Sequence, residues 1–214
     1  MTDPAPAPGS VSGSAPGPAP ASPALAAPDA APDPSSASSR PRRVQIAVCA
    51  PGDAPPEVLA LAEAVGRLVA KRGCGLVCGG LGGGMAAACR GAKAAGGTTV
   101  GILPGYEAKA ANAWVDHVVC TGLGQARNAL VAASGDALIA VGGGFGTLSE
   151  IALGLRLGRP VVLLGGWAGA LSTAEARAAL GGLEGALYGA TTPEAAVAAA
   201  MKALDQSDRP GGSG

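Results

Sequence analysis

Aromatic residues are nearly missing from this chain: one Phe, two Trp and two Tyr in 214 residues. A core without large rings must be filled by small aliphatic side chains. These let helices pack close against a sheet and suit an α/β layered fold. Histidine is scarcer still. His117 stands alone, which excludes multi-histidine metal sites and argues against a Ser-His-Asp or Cys-His relay. Its expected place is a partly exposed strand position. Net charge is absent as well: 15 Lys and Arg balance 15 Asp and Glu. That gives no electrostatic footprint for nucleic acid and no reason to invoke a membrane surface. No apolar run is long enough to span a bilayer, and the first residues lack the basic start and apolar core of a signal peptide. The expected location is cytoplasmic.

Five cysteines, an odd number, appear without an export signal. Cys49, Cys78 and Cys120 fall at or near expected strand ends, where a buried reduced thiol acts as a small hydrophobe. Cys74 and Cys78 lack the second cluster that a metal site needs, so no metal is expected.

Three stretches differ in kind. Residues 1–42 are almost all Ala, Pro, Ser, Gly and Asp without apolar periodicity. Such a segment buries too little apolar surface to offset its ordering entropy and is expected to be disordered. Residues 43–206 suit one domain, and 207–214 a flexible C-terminus. Within the domain, strands are expected at 44–50, 75–78, 98–103, 115–120, 137–141, 161–164 and around Leu187. Helices are expected from Pro55-Pro56 to 71, at 85–95, across Gln125, Arg127 and Asn128 to Ser134-Gly135, at 147–157, near 172–180 and at 193–204. Apolar strands alternating with helices predict a three-layer, Rossmann-like α/β domain whose mostly parallel, doubly wound sheet has about seven strands. Ligands of such sheets bind outside the carboxyl ends of the strands.

Two glycine-rich turns lie on that edge. Residues 137–141 run into Gly142-Gly-Gly-Phe-Gly-Thr-Leu-Ser-Glu150, a strand, tight turn and helix start. Its free N–H groups and helix dipole favour an anion such as phosphate. The other turn is Gly79-Gly-Leu-Gly-Gly-Gly84. Neither fits the dinucleotide fingerprint, and Met85 stands where a P-loop needs Lys. Thr147 and Glu150 have the spacing of a capping box, which would explain both residues structurally. A carboxylate beside a phosphate turn equally suits a ribose hydroxyl or an oxocarbenium-like transition state. Arg127, early in its helix, opposes the dipole there and reads either as solvent-exposed or as the partner of an anion. For Gln125 and Asn128, helix capping is the simplest role.

Gly142-Gly-Gly-Phe-Gly-Thr-Leu-Ser-Glu150 resembles the P-G-G-x-G-T-x-x-E motif of the LOG and lysine-decarboxylase-like (SLOG) superfamily. Gly124-Gln-Ala-Arg-Asn128 falls where those proteins carry M-H-x-R-K, and Cys78-Gly-Gly-Leu-Gly-Gly-Gly-Met85 is similar to their other glycine turn. The resemblance runs over nearly all of residues 44–204. For the hydrolases of the superfamily, it implies cleavage of the N-glycosidic bond of cytokinin nucleoside 5′-monophosphates by Arg127 and Glu150. The 5′-phosphate would sit on Gly143, Gly144, Gly146 and Thr147. Here Gly142 replaces the motif proline, and Gln125 and Asn128 replace the His and Lys around the arginine. In these features the chain looks more like the molybdenum-cofactor carrier branch, which binds a phosphate-bearing pterin. The resemblance implies a homodimer or higher homo-oligomer. It also implies a small phosphorylated ligand (molybdenum cofactor or a nucleoside monophosphate) and no required cofactor. The binding set is Gly79, Gly80, Gly82, Arg127, Asn128, Gly142, Gly143, Gly144, Phe145, Gly146, Thr147 and Glu150.

Overall fold

The computed structural model describes residues 42–179 and 187–207. The expected tail at 1–42 and the C-terminal segment at 207–214 lie outside these, apart from Arg42 and Ser207. Seven strands form the sheet: β1 (Gln45–Cys49), β2 (Gly75–Cys78), β3 (Thr99–Leu103), β4 (His117–Cys120), β5 (Ala137–Val141), β6 (Val161–Leu164) and β7 (Leu187–Ala190). Their order is β4-β3-β2-β1-β5-β6-β7, and every neighbouring pair is parallel. The chain steps outward from β1 to β4, then returns to β5 and steps outward the other way. Strand order therefore reverses between β1 and β5, and a crevice opens there at the carboxyl ends.

The helices are α1 (Pro56–Lys71), α2 (Gly83–Ala94), α3 (Asn128–Ser134), α4 (Phe145–Arg156), α5 (Ala168–Leu171), α6 (Ala174–Ala179) and α7 (Pro193–Ser207). Alternation along the strands divides the core in two. Ile46 and Val48 of β1 pack with α1, α2 and α7 on one face. Ala47 and Cys49 pack with α3 and α4 on the other. These are the three layers that the alternating pattern implied.

Scarcity of large side chains has a clear structural use between α1 and α2. A Cβ placed on Gly66 would come within 1.9 Å of the Ala88 carbonyl oxygen, and one on Gly91 within 1.9 Å of the Glu63 carbonyl oxygen. The two helices touch backbone to backbone, which only glycine permits.

Several boundaries depart from expectation. α4 begins at Phe145 and not Thr147, because the turn tightens at Gly142, whose φ of 72° is left-handed. The expected helix across Gln125 and Arg127 is a 3₁₀ turn, Gly124–Arg127, running into α3. The segment near 172–180 holds α6, with α5 before it. Cys120 is exposed on the edge strand β4, not buried, because no further strand flanks it; His117 is exposed there too. Cys74 and Cys78 do not face each other: Cys78 Sγ lies 3.4 Å from Cys89 Sγ, and Cys74 Sγ lies 3.7 Å from Met201 Sδ. Among the described residues no helix is long and apolar enough to cross a membrane.

Candidate functional site

At the reversal point lies a cavity of about 540 Å³. Four segments that follow strands build its wall. Ala50, Pro51 and Gly52 follow β1, Leu81 comes from the β2–α2 turn and Met85 from the first turn of α2, Gln125, Arg127 and Asn128 from the 3₁₀ turn into α3, and Gly144 to Thr147 with Ser149 and Glu150 from the start of α4. Pro51 and Gly52 are held against α2 by the Gly84 N–H, which donates to the Pro51 carbonyl at 2.9 Å. Gly83 makes this approach possible, with φ of 60° and no side chain to meet the Gly52 carbonyl.

Arg127 and Glu150 meet at the floor. Arg127 Nη1 donates to Glu150 Oε1 at 3.3 Å, and each residue is only 6% exposed. Arg127 Nε is buried without a hydrogen-bond partner. The guanidinium fits because Gly79 has no side chain: a Cβ there would lie 2.3 Å from Nη1. At the end of β1 the buried Cys49 thiol lies close enough to Glu150 to favour its ionised form. Burial, then the Glu150 charge, push this thiol well above its ordinary range, so it stays protonated. Burial also pushes the Glu150 carboxyl up from about 4.5 to about 7, against the Cys49 thiol and the Arg127 charge, which both pull it down. A desolvated carboxyl with one long hydrogen bond to its cation is incompletely compensated, so its neutral form gains ground.

This geometry corrects three readings. Thr147 and Glu150 do not form a capping box. Gly144 is the N-cap of α4, with no side-chain cap, so Thr147 is the third helical residue and Glu150 lies too deep to reach the helix entry. Arg127 is not solvent-exposed; its anionic partner is Glu150. Asn128 is no cap either. Its Nδ2 donates to Ser149 Oγ at 2.8 Å, and Ser149 Oγ donates to the Gly146 carbonyl at 2.7 Å, tying α3 to the glycine loop. Trp167 Nε1 fixes the same loop from the other side by donating to the Gly144 carbonyl at 3.1 Å.

Of the residues singled out in the sequence, Arg127, Asn128, Gly144, Phe145, Gly146, Thr147 and Glu150 line the cavity together, and Gln125 joins them. Gly79, Gly80, Gly82, Gly142 and Gly143 are not part of the wall; Gly82 and Gly143 are exposed. Gly79 makes room for Arg127, Gly80 packs on Gly101 with φ of 72°, and a Cβ on Gly142 would meet Val58 at 2.7 Å. Sequence reasoning missed Pro51, Gly52, Leu81, Met85 and Ser149 in the wall and Cys49 close to Glu150. The rule that ligands sit past strand ends pointed at the Pro51-Gly52 turn. The inward aim of Cys49 depends on which face of β1 each residue takes. At α4, the amides of Phe145, Gly146 and Thr147, all residues of the cavity wall, have no intrahelical acceptor and belong to the positive end of the dipole. With Arg127 beside them, the arrangement can bind an anion. Among the described residues no three His, Cys, Asp or Glu are grouped so as to hold a metal ion.

Comparison with known proteins agrees with this architecture. The chain is similar to the molybdenum cofactor binding protein of the phototrophic bacterium Rippkaea orientalis: 39% identity, 75% of this chain and 97% of that one, TM-score 0.69. It is similar to the molybdenum cofactor carrier protein of Chlamydomonas reinhardtii: 38% identity, 77% and 99%, TM-score 0.66. It also matches a cytokinin riboside 5′-monophosphate phosphoribohydrolase of Mycobacterium marinum, 37% identical over 124 residues, covering 55% of this chain and 65% of that enzyme. Residues 43–197 match the SLOG cluster4 family, and to that family this Rossmann-like chain belongs.

Proposed function

We propose that this protein binds a phosphorylated nucleotide or pterin-type ligand in the cavity between β1 and β5, as a carrier of the molybdenum-cofactor type. The observation that carries this reading is the buried Arg127–Glu150 pair beside the open N-terminus of α4, within one cavity at the strand-order reversal. Arg127 and the amides of Phe145, Gly146 and Thr147 would take the phosphate. The apolar side formed by Leu81, Met85 and Phe145, the last 88% exposed, suits the face of a flat ring system. A volume of about 540 Å³ is in the range of small-ligand pockets. Arg127 Nε, buried without a partner, supports the fit of a further acceptor such as a phosphate oxygen. Likeness to the Rippkaea and Chlamydomonas proteins supports the same ligand class. A homo-oligomer belongs to this reading. The exposed Val118 and Val119 on β4 support it, since parallel strands are ordinarily covered on both faces.

Glu150 supports a second reading. A carboxyl that titrates near 7 beside a phosphate-binding turn could stabilise cationic character at an anomeric carbon, as phosphoribohydrolase chemistry requires. One experiment separates the two. Purified protein is incubated with AMP, GMP and isopentenyl-type AMP, and products are separated by chromatography, with Glu150→Gln alongside. The carrier reading expects no free base, together with thermal stabilisation by a phosphorylated ligand that Arg127→Ala abolishes. Base release by the wild type alone would establish the hydrolase. If neither appears, the ligand class is wrong.

A further inference from the structure

Resting on the anion-binding reading above, we infer that ligand capture in this cavity is coupled to proton uptake. The incoming anion takes Arg127 from Glu150, and the freed Glu150 carboxylate takes one proton from solvent to become the neutral acid.

The charge inventory of the site leads to this. Arg127 and Glu150 are the only charged residues in the cavity wall among those described. The groups that face Glu150 are Arg127 from the 3₁₀ turn and the Cys49 thiol from β1. The wall contributed by α2 and by the Pro51-Gly52 turn brings no titratable side chain. The empty floor is thus one cation and one carboxylate, neutral as a pair. A phosphate or sulfate dianion placed on Arg127 and the α4 amides leaves several negative charges against one guanidinium and a helix end, in a region screened from water. Neutralising Glu150 is the least costly relief, because a buried unpaired charge sheds itself by protonation.

The geometry makes the exchange feasible. Arg127 spends a single 3.3 Å hydrogen bond on Glu150, while its Nε has no partner. A guanidinium carries five donors in a fixed fork that suits phosphate and sulfate oxygens. Turning toward an anion therefore gives up one long bond and gains shorter ones. Glu150 is close to its titration point before any ligand arrives. The anion moves the carboxyl further in the same direction. Binding of a fully ionised anion should then weaken by up to tenfold for each pH unit above about 7, until the bound-state titration point is passed.

Isothermal calorimetry tests this with two probes, inorganic sulfate and AMP, in buffers of different ionisation enthalpy. Sulfate stays dianionic throughout, so any proton taken up on its binding belongs to the protein. At about pH 8 the expected result is uptake approaching one proton, shrinking toward about pH 5.5, where Glu150 is already neutral. Uptake should vanish in Glu150→Gln. If that variant melts out, the wild-type pH series decides alone: sulfate affinity must fall with rising pH above about 7. Binding without proton uptake, or uptake unchanged in the variant, overturns the coupling and leaves the anion-binding reading standing. If neither probe binds, that reading falls and takes this inference with it.

Discussion

Alanine at Gly79 isolates the role of the Arg127–Glu150 pair without removing either partner. The backbone at Gly79 does not lie in the left-handed region, so alanine fits its conformation. The obstacle is its Cβ, which would sit 2.3 Å from Arg127 Nη1 and 2.4 Å from Nη2. Reaching ordinary contact requires the guanidinium to move by roughly an ångström, and the 3.3 Å bond to Glu150 is already long. Losing a buried hydrogen bond between charged groups costs about 1.5–3 kcal/mol, which lowers the melting temperature by about 3–12 °C for a domain of this size. A double-mutant cycle by urea denaturation gives the decisive reading. In an Arg127→Ala background the space beside Gly79 is vacant. There Gly79→Ala should become neutral or stabilise by about 0.4–1 kcal/mol, through the unfolded chain alone. The reversal in sign is the expected signature. Equal costs in both backgrounds would refute the reasoning and show that the cost arises in the backbone of the β2–α2 turn and not from contact with Arg127.

Stability should also report the titration of Glu150. Its pKa is raised on folding from about 4.5 to about 7, so the folded state holds more protons between those values. Its contribution is therefore fully present below about pH 4.5 and lost as pH rises through about 7, on the order of 3 kcal/mol in all. Urea denaturation of wild type and Glu150→Gln at a series of pH values checks this; a difference that does not change between about pH 5 and 8 would contradict it. Separately, Gly66→Ala should cost about 3 kcal/mol or more, because its Cβ meets the Ala88 carbonyl oxygen at 1.9 Å and neither backbone can give way without parting α1 from α2. A denaturation midpoint within error of wild type would show that the two helices can separate freely.

Much of this architecture was legible in the chain because it is written in local pattern. β2 and β5 match the expected spans, since a short apolar run bounded by Gly or Asp leaves little freedom in where a strand starts and stops. The starts of α1 and α7 at their prolines match as well, whereas that of α4 was less legible. Where Gly142 turns the chain depends on its packing against Val58 and on the Trp167 anchor at Gly144, and both are contacts distant in sequence. That early start of α4 moved Thr147 and Glu150 from the helix cap to the cavity wall.

By itself the sequence determined the alternating α/β order, and it singled out the carboxyl edge and the glycine loop with Arg127 and Glu150 as the place to look for a site. Periodicity and turn residues act over a few positions, so they can be read without coordinates. Only the tertiary structure decided that Arg127 and Glu150 are partners, that both are buried, and that Gly79 leaves the space the arginine fills. It also placed Cys49 close to Glu150. These facts depend on bringing the end of β1, the β2–α2 turn, the 3₁₀ turn and α4 to one point. That convergence follows from the reversal of strand order between β1 and β5, and no local pattern encodes it.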